Sequence, residues 1–127
     1  MGMDVNGGSY NWTAWRMIEA SIKMVCGEWL SKARCKNGAY DLEMLGIKSW
    51  KEYDTNCLEA MNSNTHDLWP KQVALKVSRE MRAVVDSGQL KREMEKAGHG
   101  DDVEWCHRFL GQFLDSIDEH PSGVMFN

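Results

Sequence analysis

Apolar residues in this chain recur at spacings of three and four, not two. The clearest run is Trp12, Trp15, Ile18, Ile22, Val25, Cys26 and Trp29, which traces one face of a long helix. Asn11 stands where a side chain can cap the start, and Asn37-Gly38 supplies a stop, so the pattern predicts a helix over roughly residues 11 to 35. Asp41 predicts a cap for a short turn through Leu42, Met44 and Leu45, closed by Gly46. Ser49 to Glu52, SWKE, has the form of a capping box, in which hydroxyl and carboxylate satisfy each other's backbone N–H groups. Trp50, Tyr53, Cys57, Leu58 and Met61 follow at helical spacing and end in the turn-rich NSNT.

Farther on, Pro70 suits the first position of a helix, where its missing N–H costs nothing. Val73, Val77, Met81, Val84 and Val85 continue it to Gly88. Gln89 to Ala97 consists largely of strong helix formers and carries a Leu90/Met94 pair at i, i+4, predicting a short helix. Asp101, with Glu104 three residues on, opens a last stripe of Val103, Cys106, Leu110, Phe113, Leu114 and Ile117 that runs to about Asp118. No segment shows the alternation of a half-buried strand. Each stripe needs the others to bury it, so the expected fold is all-α: a compact single-domain bundle of five or six helices. Residues 1–10 read as a flexible arm, 11–118 as the helical domain and 119–127 as an irregular tail.

Composition sharpens this picture in two places. Six tryptophans and nine methionines in 127 residues imply either an aromatic core or an adaptable binding surface. Met17 and Met24 lie off the main stripe of the first helix, so that helix is either buried on two sides or docks a partner. No apolar run approaches the roughly 18–20 residues of a membrane span, and MGMDVNGGSY lacks the basic start and apolar centre of a signal peptide. Cys26, Cys35, Cys57 and Cys106 are irregularly spaced, without Cys-x-x-Cys, and read as reduced thiols of a cytoplasmic protein.

The net charge of −4 is unevenly spread. Residues 69 to 97 carry seven bases against four acids, whereas residues 98 to 127 carry one base against six acids. Within the basic segment, VSREMRAVVDSGQLKRE (Val77 to Glu93) resembles the recognition helix and following turn of winged-helix regulators. The matching positions are Ser78, Arg79, Arg82, Val84, Val85, Gly88, Leu90, Lys91 and Arg92, about 17 residues of the chain. The resemblance implies DNA contact by the helix and a basic strand after Gly88, where the helix formers of Gln89 to Ala97 imply helix instead.

Other chemistry finds little support. Adjacent Cys106 and His107 point about 100° apart on a helix and suit one metal ion poorly. Cys57 with His66 has no nucleophile context, His99 lies between glycines in a loop, and no carboxylate pair or phosphate loop is recognisable. The expectation is therefore a non-enzymatic protein without cofactor or metal that binds another protein as an adaptor or inhibitor. Its contact residues would be Trp12, Trp15, Met17, Met24 and Trp29, and a homodimer through the first helix is one form of this reading. The alternative is a DNA-binding regulator using Lys71, Arg79, Arg82, Lys91 and Arg92.

Overall fold

The computed structural model describes residues 2–6, 8–37, 55–62, 67–120 and 123–126. In chain order these form strands β1 (Gly2–Val5) and β2 (Gly8–Asn11), helix α1 (Trp12–Leu30), strand β3 (Lys36–Asn37), the single-turn helix α2 (Cys57–Ala60) and strand β4 (Asp67–Trp69). Helices α3 (Lys71–Asp86) and α4 (Gln89–Lys96), a 3₁₀ turn (Gly100–Asp102), helix α5 (Val103–Glu119) and strand β5 (Val124–Phe126) complete the chain. The all-α expectation is thus corrected: the five strands form one antiparallel sheet in the order β2-β1-β5-β4-β3, packed on the helices as an α+β fold.

Three of the five strands are built where the sequence suggested an arm and a tail. Met3 pairs with Tyr10 in the N-terminal hairpin, Val5 with Phe126, and Trp69 with Val124, so the last strand lies at the centre. Side chains alternate across the strands as pleating requires. Met3, Val5, Tyr10, Trp69, Val124 and Phe126 are buried on one face, while Asp4, Ser9 and Leu68 are not. Asn6 turns the hairpin at φ 50° and holds the two chain ends together, its Oδ1 accepting from the Met125 N–H at 3.0 Å. Gly123 opens β5 at φ 127°, and a Cβ there would fall 2.3 Å from the Trp69 carbonyl oxygen. Glycine is required at this position on both counts.

The helical stripes fall where their periodicity predicted, but they pack against this sheet as well as against one another. Asn11 caps α1, its Oδ1 accepting from the Ala14 N–H at 2.8 Å. Trp15, Ile18, Ile22, Cys26 and Leu30 are buried along one side of α1, and α5 contributes Cys106, Leu110, Phe113, Leu114 and Ile117. Rings of Trp15, Trp69, Phe113 and Phe126 pack at centroid distances of 5.0 to 6.1 Å, mostly edge to face. Both buried indoles find acceptors: Trp15 Nε1 donates to the Met61 carbonyl at 2.8 Å and Trp69 Nε1 to that of Cys57 at 2.7 Å.

Two local expectations also change. α1 ends at Leu30, short of residue 35, because Arg34 bridges Asn56 and Lys36–Asn37 join the sheet. Tertiary pairing overrides helix propensity there. Pro70 occupies the cap position, one residue before α3. After Gly88, held left-handed at φ 77°, the chain forms helix α4, as the helix formers of Gln89 to Ala97 predicted and in place of the strand of the winged-helix pattern. The Asp41–Gly46 turn and the Ser49–Glu52 capping box lie outside the described residues.

Candidate functional site

The side of α1 turned from the sheet borders a long groove. At 100° per residue, Met24 lies half a turn around the helix from Trp15, and Met17 lies within about 20° of Met24. Two adjoining depressions share Met24, Leu90 and Glu93: one of about 580 Å³ between α1, α3 and α4, and one of about 380 Å³ between α1 and α4. Met17, Ala20 and Met24 form the α1 wall, and Leu90, Met94 and Ala97 the α4 wall. The buried Ser21 and Leu90 lie at the base. Ser21 Oγ donates to the Met17 carbonyl at 2.9 Å and lies 3.5 Å from Cys106 Sγ, so the hydroxyl is satisfied within the protein. Met24 is 52% exposed and, unlike a lone surface hydrophobe, borders other apolar side chains across the groove.

The five residues proposed for protein contact divide between core and surface. Met17 and Met24 line the groove. Trp15 is 1% exposed and locked in the aromatic core, out of reach of a partner. Trp12 packs half-buried against that core. Trp29 closes the seam between α1 and α3, its Nε1 donating to Glu80 Oε1 at 3.0 Å with the Lys76 ammonium 4.3 Å from its ring centre. Leu90 and Met94 belong to the site as well. Their i, i+4 spacing was visible in the sequence, but their opposition to α1 was not.

The basic residues differ in how far they are already paired. Arg82 on α3 turns toward α5, its Nη2 donating to Asp118 at 2.8 Å and to Asp115 at 3.1 Å, while Nε donates to Ser78 Oγ at 3.3 Å. Arg92 Nη1 donates to the Ser87 carbonyl at the end of α3. Lys71, Arg79 and Lys91 are exposed. Asp115 and Asp118 therefore set negative charge beside Arg82, where the DNA reading needs positive charge.

Burial sets the chemistry of the four thiols. It pushes Cys26, Cys35 and Cys57 up to about 12, aided at Cys26 by the Glu80 carboxylate and at Cys35 by Asp67. Cys106 is raised for the same reason. Such thiols hold little thiolate at neutral pH and make poor nucleophiles. His66, the base considered for Cys57, lies outside the described residues. Among the described residues no group of three or more His, Cys, Asp or Glu is placed to hold a metal ion. No described helix is long and apolar enough to cross a membrane. No protein family, curated protein or solved structure matches the chain.

Proposed function

We propose that this protein acts by binding another protein, whose apolar side chains enter the groove between α1 and α4. The observation that carries this reading is the placement of Met17 and Met24. They occupy the side of α1 opposite its core stripe and face Leu90 and Met94 across an open groove. Thioether side chains are unbranched and polarizable, so such walls adapt to differently shaped apolar partners. An adaptor or inhibitor needs this kind of surface and no reactive group. The pairing of Arg82 with Asp115 and Asp118 weighs against the regulator reading, because the guanidinium already has two carboxylate partners.

Panning a random peptide library against the protein tests this proposal, with Met24→Gln as counter-target. Enriched peptides should carry apolar residues at spacings of three and four and lose about tenfold in affinity on Met24→Gln. Failure to enrich, or peptides indifferent to Met24→Gln, would refute it.

A further inference from the structure

We infer that the free edge of β2 takes up an extended segment of another protein as a sixth strand of the sheet, with one large apolar side chain of that segment seated on Trp105. The inference is separate from the groove between α1 and α4. β2 is the outermost strand, and among the described residues β1 is the only strand paired with it. Val5 and Gly8 close the hairpin and exchange backbone hydrogen bonds, and Met3 and Tyr10 do the same farther along the ladder. The Asn6 N–H donates to the Met125 carbonyl at 3.3 Å, a bond that belongs to the same alternation on the far side of β1. The N–H and C=O of Ser9, which alternate with those of Gly8 and Tyr10, therefore point away from β1. The Asn11 N–H does the same, while its carbonyl opens α1. Gly8, Ser9 and Asn11 are exposed. Nothing in the strand GSYN guards this edge, which has no proline and no charged side chain.

A second observation lies one layer below the sheet. Phe113 of α5 packs 6.1 Å from Trp69 on β4, and Phe109, a turn earlier, packs 6.5 Å from Tyr10 on β2. α5 therefore runs beneath the sheet toward the β2 edge. Trp105, another turn in the same direction, lies 5.1 Å from Phe109 and is half-buried, with no place in the core cluster. Four helical residues advance about 6 Å, and a neighbouring strand lies about 4.8 Å away, so the indole sits under the position of a sixth strand. Tyr10 faces the core, and the residue opposite it on that strand faces the same way, toward Trp105. A second copy pairing through its own β2 about Ser9 would set Gly8 opposite Tyr10, with no side chain to cover the indole. A segment of another protein with leucine or a comparable residue there satisfies both the backbone edge and the indole.

Short synthetic peptides of alternating threonine and valine test the inference by NMR on the full chain. One carries leucine at its centre and one glycine. A third keeps the central leucine but has N-methyl groups on the two flanking residues, whose N–H groups would face β2. The leucine peptide should shift the Ser9 amide and the Trp105 indole signals together and bind about tenfold tighter than the glycine peptide. The N-methylated peptide should shift neither, because it has lost the donors that pair with the edge. Trp105→Ala should weaken the leucine peptide about tenfold, leave the glycine peptide unchanged and keep the urea midpoint of the free protein. Ser9 and Trp105 signals that stay still, shifts confined to the Met24 methyl, or equal binding of the N-methylated peptide would overturn the inference. A Ser9 amide that shifts with protein concentration alone would place a second copy at the edge and overturn it as well.

Discussion

Helix α1 presents two apolar faces with different surroundings. Toward the sheet lies Trp15, ringed by Tyr10, Phe113 and Phe126 and hydrogen-bonded through its indole N–H. Half a turn away lies Met24, half exposed in a groove that no other element covers among the described residues. Both residues are large and apolar, so neither composition nor hydrophobicity separates them. What separates them is whether the fold supplies a partner. The sheet brings aromatic rings onto one face. On the other, α4 stands back from α1 and leaves the two walls apart.

The largest effect should come from removing the aromatic centre. Trp15→Ala leaves a cavity and unpairs the Met61 carbonyl, and should cost about 3–5 kcal/mol in urea unfolding. Met24→Ala should cost less than about 0.5 kcal/mol. Equal costs would erase the distinction between the two faces.

Alkaline pH probes the buried side next. The thiols of Cys26, Cys35 and Cys57 sit near 12 in the fold and near 8.5 when unfolded. Unfolding then releases protons above about pH 8.5, so stability present below that pH is lost as pH rises toward 12. Each thiol contributes a slope of up to about 1.4 kcal/mol per pH unit. Urea midpoints at pH 7.5 and 9.5 should differ clearly, and a flat profile would mean that the thiols are not buried as described.

Loss of the Arg82 pairs should matter much less. These groups are largely exposed, so Arg82→Gln should lower stability by only about 0.5 kcal/mol. A cost above about 2 kcal/mol would show that α3 and α5 depend on this contact. The smallest effect on stability, but the sharpest between the faces, concerns oxidation. Mild peroxide should convert Met24 to its sulfoxide well before the buried Met3, Met61 and Met81, as read by peptide mass mapping. Comparable rates would place Met24 under cover.

The helices were legible in the sequence because each long one carries its own periodic stripe, as in Cys106, Leu110, Phe113, Leu114 and Ile117. The Asn11 cap and the Gly88 break are local as well. The strands were not legible, and for a physical reason. GMDV, GSYN, DLW and VMF span only three or four residues each, too few for alternation to register. Their pairing is also remote: Val5 meets Phe126 across nearly the whole chain. The candidate site was half legible for the same reason. Met17 and Met24 stood out because they left the stripe of α1, whereas the opposing wall of Leu90 and Met94 exists only once α4 has been placed. Trp15 misled because its position, on the stripe, was that of a core residue.

On the proposed reading, α1 keeps one face for the core and offers the other to a partner. The most direct test measures two quantities on Met24→Gln: its urea midpoint, and its affinity for a peptide selected on the wild-type chain. The midpoint should stay unchanged while the affinity falls about tenfold. A midpoint that falls as far as that of Trp15→Ala, or an affinity that does not change, would contradict it.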